Sequence, residues 1–167
     1  MSKVTFFTER TETPPAQTYP PGTIVIRAGG RAVDIQKSLQ VREAVFVGEQ
    51  NVPLELERDE YDADALHILA IDTDTNEPVG TARIVDKGNG VAKIGRVAVL
   101  SAFRGMGVGD ALMNAVIETA RTLKFAAMVL DAQLPVIAFY ERFGFVAEGE
   151  IFLDAGIEHR RMTRPVR

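Results

Sequence analysis

The segment from Lys93 to Ala120 constrains the fold of this chain more than any other. Its opening residues, KIGRVAVL, carry the β-branched and aliphatic side chains that are typical of a buried strand. A turn follows with glycine at every second position, Arg104-Gly105-Met106-Gly107-Val108-Gly109. Apolar residues then recur at helical spacing from Val108 to Leu123. The segment therefore predicts a strand, a tight turn and a helix in direct succession.

The turn has the chemistry of an anion site. Backbone amides can crowd together where glycine lacks a Cβ atom, and the free N–H groups of the helix start point at the same place. This arrangement suits a phosphate or a pyrophosphate, and Arg104 adds a permanent positive charge. The glycine spacing is neither the dinucleotide fingerprint nor the P-loop, so hydrolysis of ATP or GTP is not expected. The turn alone leaves open a tight turn that binds no ligand.

Two motifs together resemble those of the GNAT superfamily of N-acetyltransferases. The first, V-A-V-L-x-x-x-R-G-x-G-V-G-x-x-L-M, begins at Val97 and resembles the motif that wraps the pyrophosphate of acyl-CoA. The second, LDAQLPVIAFYERFGFVAEGE, begins at Leu130 and is similar to the next strand and helix of that family. In the second motif Gln133 stands where asparagine is usual, and Val136 stands where alanine is usual.

The resemblance implies a site for acetyl-CoA, used as a cosubstrate without a metal. Two neighbouring parallel strands, here Lys93–Leu100 and Ala127–Gln133, are expected to splay apart so that the cosubstrate enters the gap. The strand amide near Val99 would polarise the thioester carbonyl, and Tyr140 would protonate the departing sulfur, although a packing role for Tyr140 stays open. The cofactor-binding residues implied are Val97, Ala98, Val99, Arg104, Gly105, Met106, Gly107, Val108, Gly109, Gln133, Phe139 and Tyr140.

The sequence offers several candidates for the group that takes the proton from the attacking amine. A lysine-type amine, with a pKa of about 10.4, needs a base far more than an α-amine with a pKa of about 8. The candidates for the base and for acceptor binding are Glu49, Asp62, His67 and His159. Glu49 is placed first because it follows a helix that borders the acceptor site in the family. A structural role for each histidine and a water relay in place of any base are the alternatives.

The stretch from Glu55 to Asp64 is dense in acidic residues and allows two interpretations. It is either a solvated acidic loop or an acidic rim that attracts a cationic amine. In the second interpretation the stretch and Glu49 line the acceptor side of the cleft, opposite the glycine-rich turn.

Composition narrows the function classes. The chain has 167 residues, a net charge of −4 and no cysteine. The charge argues against nucleic-acid binding, and the lack of cysteine favours direct transfer over an acyl-enzyme on a thiol. No apolar run or basic leader predicts a membrane span or a signal peptide. We therefore expect a cytoplasmic enzyme that is a monomer or homodimer, with a small-molecule or peptide amine as acceptor.

The remaining pattern predicts an α/β (α+β mixed) fold, with a mostly antiparallel mixed sheet flanked by helices. Residues 1–22, with prolines at 14, 15, 20 and 21, are expected to form an irregular arm with a short extended piece from Val4 to Phe7. Residues 23–167 would form a single acetyltransferase domain. Strands are predicted at Thr23–Arg27, Leu66–Asp72, Pro78–Asp86, Val91–Leu100, Ala127–Gln133, Val146–Leu153 and Glu158–Thr163, and helices at Val33–Val47, at Val108–Leu123 and from Pro135 to near Gly144.

A further pattern points to a branch of the superfamily. Arg42-x-x-Val45-Phe46-x-x-Glu49-Gln50-x-Val52-Pro53 and Glu57-x-Asp59-x-x-Asp62 resemble the small, bacterial ElaA-like and YjcF-like proteins. The expected reaction is transfer of an acetyl group from acetyl-CoA to a primary amine. Two alternatives remain: an acyltransferase like the acyl-homoserine lactone synthases, whose N-terminal half shares part of this pattern, and a non-catalytic acyl-CoA-binding module.

Overall fold

The computed structural model describes the backbone of Thr5–Glu9 and all of residues 19–167. In this part of the chain eight strands form one sheet with the order β1-β2-β3-β4-β5-β6-β8-β7. The strands are β1 (Thr5–Glu9), β2 (Thr23–Gly29), β3 (Leu66–Asp72), β4 (Glu77–Asp86), β5 (Val91–Val99), β6 (Ala127–Gln133), β7 (Val146–Asp154) and β8 (Ile157–Pro165). The α-helices are α1 (Ala32–Arg42), α2 (Leu54–Glu57), α3 (Val108–Thr122) and α4 (Ile137–Glu141).

Most neighbouring strands pair antiparallel; β1 with β2 and β5 with β6 are parallel. This arrangement confirms the predicted mixed, mostly antiparallel sheet with two parallel strands near its centre. Helices cover both faces of the sheet. Ser38 of α1 hydrogen-bonds Thr81 of β4, whereas the neighbouring Gly80 faces α3. Because successive side chains of a strand point to opposite faces, α1 and α3 lie on opposite sides.

Gly80 lets α3 approach the sheet closely. A Cβ atom at this position would lie 3.0 Å from side-chain atoms of both Val108 and Leu112. Val108 and Leu112 are among the most buried residues of the main core, which α3 builds with the inner strands. The start of α3, and with it the glycine-rich turn, is thereby fixed against the middle of the sheet.

The parallel strands β5 and β6 separate after a short stretch. Their paired register runs from Val91 opposite Ala127 to Ile94 opposite Leu130 and ends there. Beyond this point each strand continues alone on the facing side, while β4 and β8 keep their pairing on the outer sides. The predicted gap between two splayed strands is therefore present.

A β-bulge in β5 lies where the gap opens. Between Arg83 and Thr81 of β4 the partner positions on β5 move from Gly95 to Ala98, so β5 carries one extra residue. Arg96, within this interval, has a left-handed φ of 52°. The bulge reverses the facing of the strand. Ile94 belongs to the main core, but Ala98 packs with Val41 and Val45 of the first helical segment.

The first helix is longer than α1 and changes character along its length. The α-helical part ends at Arg42 and continues as a π-helix from Glu43 to Glu49. The predicted helix from Val33 to Val47 is confirmed; the π-helical turns were not predicted. Such turns are rare and occur often at functional sites. Leu54–Glu57 and a 3₁₀ turn, Glu60–Ala63, form the acidic stretch that follows.

The N-terminal arm is only partly described. Thr5–Glu9 forms β1, close to the short extended piece that we expected from Val4 to Phe7, so this part of the arm is not irregular. Val4 and residues 10–18, which include Pro14 and Pro15, lie outside the described residues. The division into an arm and a domain at residue 23 stays a prediction. Among the described helices, none has the length and apolar character needed to cross a membrane.

Candidate active site

A cavity of about 990 Å³ follows the gap between β5 and β6. One end lies at the glycine-rich turn, where Arg104, Gly105 and Gly107 contribute to its wall. Of the residues implied as cofactor-binding, all but Met106 line this cavity: Val97, Ala98, Val99, Arg104, Gly105, Gly107, Val108, Gly109, Gln133, Phe139 and Tyr140. The structure therefore brings this predicted set together around one space.

The turn presents a group of free backbone donors. Gly105 and Gly107 have φ values of 77° and 87°, a left-handed conformation that glycine adopts without strain. Gly107 is the N-cap of α3, and no side chain caps the helix. In residues 19–167, the N–H groups from Gly105 to Asp110 have no acceptor. Several unpaired donors and the positive end of a 15-residue helix thus converge at one end of the cavity, which fits a pyrophosphate.

Arg104 is held in place by two partners. Its Nε donates to the carbonyl oxygen of Val99 at 3.0 Å, and its Nη2 donates to Oε2 of Glu49 at 2.9 Å. The Arg104 Nη1 nitrogen lies 2.8 Å from Oε1 of Glu49, so the ion pair is bidentate. Glu49 is thus attached to the glycine-rich turn. The expectation that Glu49 lies opposite this turn is wrong, because the π-helical end of the first helix reaches across to Arg104.

The backbone of Val99 faces the gap. Leu100 donates its N–H to the carbonyl oxygen of Val79 at 2.9 Å, and Val99 lies opposite Gly80. In an antiparallel ladder the hydrogen-bonded pairs alternate with pairs that point away from each other. Val99 is in a pair of the second kind, so its N–H and its carbonyl point away from β4, toward the side of β6. The bond from Arg104 to the Val99 carbonyl agrees with this direction.

Tyr140 lies in a tight aromatic group at the cavity wall. Its ring centroid is 5.0 Å from that of Phe139 and 6.1 Å from that of Phe145, with edge-to-face geometry in both pairs. The side chain is largely buried, at 8% exposure. Burial raises the pKa of Tyr140 to about 12, so its hydroxyl keeps its proton throughout the physiological range. Tyr140 can therefore donate a hydrogen bond into the cavity but gives up its proton reluctantly.

The acidic stretch is neither a solvated loop nor a rim of free carboxylates. Arg42 is fully buried and binds Glu57 through Nε and Asp62 through Nη1, the latter at 2.6 Å. Arg83 binds Asp59 at 2.6 Å and Asp62 at 2.9 Å. Arg96 binds Asp59 at 3.1 Å. Three carboxylates of the stretch are therefore ion-paired with these arginines: Glu57, Asp59 and Asp62. The other three are exposed: Glu55, Glu60 and Asp64.

Asp62 is therefore poorly suited to take a proton. Burial raises the pKa of its carboxyl, but hydrogen bonds and charge from Arg42 and then Arg83 outweigh burial and lower the pKa to about 2. Asp62 does not line the cavity. The structure contradicts its expected place at the acceptor site, because the carboxylate is needed to compensate two buried guanidinium groups.

His67 is also separated from the cavity. Its side chain is completely buried, and Nε2 donates to the carbonyl oxygen of Asp62 at 3.0 Å. Burial lowers its pKa, so the ring is neutral. His67 is absent from the cavity wall, which contradicts its expected role in acceptor binding. The structural alternative applies to this histidine.

His159 is the histidine that reaches the cavity. It lies on β8 directly opposite Gln133, and its ring stacks on Phe152 with a centroid distance of 5.9 Å. Nδ1 is 2.7 Å from the carbonyl oxygen of Ile157. A carbonyl only accepts, so Nδ1 carries a proton, and Nε2 forms no hydrogen bond with the described residues.

Some residues of the site were not predicted. Gln50 accepts a hydrogen bond from Gln133 Nε2 at 2.8 Å, so the end of the π-helix contacts β6 as well as the turn. Arg83, Lys87 and Arg96 line the cavity on the side of β4. The sequence held one signal for two of them, because Arg83 and Arg96 are charged residues inside strands that are largely apolar. In the described residues, no cluster of histidine, aspartate or glutamate has the geometry to hold a metal ion.

Comparison with known proteins identifies the family. The model of the Acetyltransferase (GNAT) family matches residues 35–145, about two thirds of the chain. The protein belongs to this family and is an acyl-CoA-dependent N-acyltransferase.

Relatives place the chain in the branch that its motifs resemble. It is 38% identical over 131 residues to the Uncharacterized N-acetyltransferase YjcF of Bacillus subtilis, which covers 78% of this chain and 91% of YjcF. It is 39% identical over 132 residues to protein ElaA of Escherichia coli, covering 77% of this chain and 85% of ElaA. The crystal structure of an acyl-CoA N-acyltransferase from Pseudomonas aeruginosa is 32% identical, with a TM-score of 0.76 over 84% of this chain and 99% of that chain.

The partial likeness to acyl-homoserine lactone synthases is also visible in the fold. The structure of BjaI, a CoA-dependent acyl-homoserine lactone synthase, with SAM and isopentyl-CoA has a TM-score of 0.70. It covers 85% of this chain and 83% of that chain at 19% identity, which shows a shared fold alone.

Proposed function

We propose that the protein transfers an acetyl group from acetyl-CoA directly to a primary amine of a small-molecule or peptide acceptor. The observation that carries this proposal is the continuous cavity between β5 and β6. It joins the unpaired amides of the glycine-rich turn to the Val99 backbone and Tyr140.

Acetyl-CoA is held along this cavity. The N–H groups from Gly105 to Asp110 and the guanidinium of Arg104 bind the pyrophosphate. The open backbone groups of β5 between the bulge and the turn pair with the pantetheine amides, as an added strand would. Gln133 and Phe139 form the opposite wall. The thioester then lies near the Val99 N–H, which stabilises negative charge on the carbonyl oxygen as the amine attacks.

Tyr140 assists the departing thiolate chiefly by donating a hydrogen bond. Its pKa of about 12 exceeds that of a cysteine-type thiol, about 8.5, by roughly 3.5 units. Full proton transfer from Tyr140 to the sulfur is therefore uphill by ~5 kcal/mol. Donating a short hydrogen bond to the sulfur avoids this cost, because the proton stays on the tyrosine oxygen. We place the gain from Tyr140 near the low end of the ~10²–10⁴-fold range for acid catalysis.

His159 is the group proposed to receive the proton from the amine. Among Glu49, Asp62, His67 and His159 it alone combines a place at the cavity wall with a ring nitrogen, Nε2, that has no hydrogen bond or ion pair in the described residues. Glu49 lines the same cavity but is committed to Arg104 at the pyrophosphate end. A water between the amine and His159 Nε2 is compatible with this role.

Acetyl-CoA binding to a Gly105→Val variant tests the placement. Gly105 has a φ of 77° and no atom within 4 Å of its Cβ position, so the variant mainly adds bulk and backbone strain at the turn. Gly149, in β7, is a matched control with a φ of 74° and the same open surroundings, outside the cavity. Titration calorimetry should show acetyl-CoA affinity reduced at least tenfold in Gly105→Val and unchanged in Gly149→Val.

An amine panel with detection of the released thiol tests the reaction itself. Turnover of at least one primary amine by the wild type, with loss in Gly105→Val, is expected. Equal acetyl-CoA affinity in both glycine variants would refute the pyrophosphate site. Tight acetyl-CoA binding without any amine-dependent thiol release would favour the non-catalytic module.

A further inference from the structure

The cavity has two ends, one at the glycine-rich turn and one where the gap between β5 and β6 closes, and the acceptor is expected at the second. With the pyrophosphate at the turn and the thioester beside Val99, the rest of the cavity extends along β5 to the bulge and to the point where β5 and β6 close together, at Ile94 and Leu130. The acceptor must then approach from the side of β4 and the acidic stretch. The lining residues there include Tyr61, Arg83, Lys87 and Arg96.

Asp59, a carboxylate at this end, has both of its oxygens in hydrogen bonds, whereas two of the arginines there have unused donors. Asp59 accepts from Arg83, Arg96 and the N–H of Tyr61. Of the nitrogens of Arg83, Nη1 alone is bonded in the described chain, although the side chain is only 8% exposed. Its Nε is buried without a partner. A guanidinium with unused donors, nine-tenths buried and part of the cavity wall, is costly unless a ligand satisfies it.

Two further cations face the same end. Arg96 uses Nε and Nη2 toward Glu57 and Asp59, and its Nη1 has no acceptor in the described residues. Burial lowers the pKa of Arg96, and the charges of Arg83 and Arg42 lower it further against the opposing effect of Asp59 and Glu57. Lys87 lies over the ring of Tyr61 at 5.0 Å and forms no ion pair in the described chain.

We infer that the acceptor amine also carries a carboxylate, which Arg83, Arg96 and Lys87 bind at the end of the cavity beyond the bulge. The inference rests on the proposed function and names the class of its acceptor. A planar guanidinium with a free edge matches a carboxylate. Asp59 is already occupied by two arginines, and Glu57 is almost completely buried, with its Oε1 bound to Arg42. This replaces the earlier expectation of an acidic rim that attracts a cationic amine.

Matched pairs of amines provide the test. Each pair shares a scaffold and differs in the carboxylate: L-lysine with cadaverine, L-phenylalanine with phenethylamine, and β-alanine with ethylamine. Phosphoethanolamine with ethanolamine distinguishes a phosphate from a carboxylate. Binding to the CoA-loaded protein is measured by calorimetry, and turnover is measured by thiol release from acetyl-CoA.

We expect the carboxylated member of at least one pair to bind and to react at least tenfold better than its partner. Arg83→Lys keeps the positive charge but loses the pair of parallel N–H donors of the guanidinium, so this preference should fall about tenfold. Lys87→Met should weaken binding of the carboxylated amine roughly twofold to fivefold, because Lys87 is exposed. Lys37→Met, outside the cavity, is the matched control and should change nothing.

Each contrary outcome is informative. Equal binding of both members of every pair, preference for the phosphate, or no binding of any carboxylated amine overturns the inference. Lys87→Met keeps the test valid should Arg83→Lys fail to fold. Loss of acetyl-CoA binding in the wild type would instead refute the proposed function.

Discussion

Replacing Asp62 by asparagine is predicted to destabilise the fold, because Asp62 compensates two buried arginines. Its oxygens accept from Arg42 Nη1 at 2.6 Å, Arg42 Nη2 at 3.2 Å and Arg83 Nη1 at 2.9 Å. The pKa of Asp62 falls from its ordinary value of 3.8 to about 2. At 1.36 kcal/mol per unit, the charged form contributes about 2.5 kcal/mol at neutral pH, net of its desolvation.

The expected shift in melting temperature follows from the size of the chain. A domain of this length loses roughly 2–4 °C for each kcal/mol, so Asp62→Asn should melt about 5–10 °C lower at pH 7. Asparagine keeps the shape but leaves Arg42 and Arg83 short of one negative charge. Asp64→Asn, on an exposed neighbour, is the matched control and should lie within about 0.5 kcal/mol of the wild type.

The pH dependence gives an independent check. Because the folded pKa of Asp62 lies below the unfolded value, the folded protein binds fewer protons. The stabilisation is complete above about pH 4 and is lost as the pH falls toward about 2. In urea unfolding between pH 7 and pH 2.5, the gap between Asp62→Asn and the wild type should narrow over this window, with equal m-values at pH 7. A gap below about 0.5 kcal/mol at pH 7, or one independent of pH, would show that the network is not stabilising in this way.

Three further variants test the proposed chemistry. Tyr140→Phe should bind acetyl-CoA normally and lower kcat about 10²-fold. This factor should stay constant from pH 7 to 10, because the hydroxyl of Tyr140 has a pKa of about 12. A defect that vanishes above pH 9 would point to full proton transfer. Glu49→Gln should raise acetyl-CoA affinity in calorimetry by up to about fivefold, because it releases Arg104, whereas Arg104→Ala should lower it; unchanged affinity in both would separate this pair from the pyrophosphate site. His159→Gln should lower kcat/KM about 10²-fold for amines of high pKa and less for α-amines, and equal effects on both would exclude a base role.

Local patterns carried most of the fold. The strand Ala127–Gln133 and the helix that starts at Val108 were predicted with the bounds that the structure shows or nearly so. Both segments have strong periodicity and a clear turn signal, so local sequence decides them. The glycine-rich turn could also be predicted from the sequence, because glycine is the residue that adopts a left-handed backbone without strain.

The site was harder to predict where the position of a side chain depends on ion pairs with residues distant in the sequence. Glu57 and Asp62 look like members of a solvated acidic run, yet they are buried because Arg42 and Arg83 meet them from 15 to 21 residues away. No periodicity encodes such partners. The position of Glu49 was missed for a similar reason, since the π-helical turns before it shift where the helix end points.

The extra residue in β5 has a consequence for how this architecture tolerates change. A chain that lost one residue between Gly95 and Ala98 would regain an uninterrupted ladder with β4, and its sheet would be more regular. The same loss would remove the left-handed residue and the local bend that accompany the bulge at the point where β5 leaves β6. Length variation at this point should therefore be rejected by selection for activity even where it favours stability. A single residue thus separates a well-ordered sheet from one that can receive a substrate.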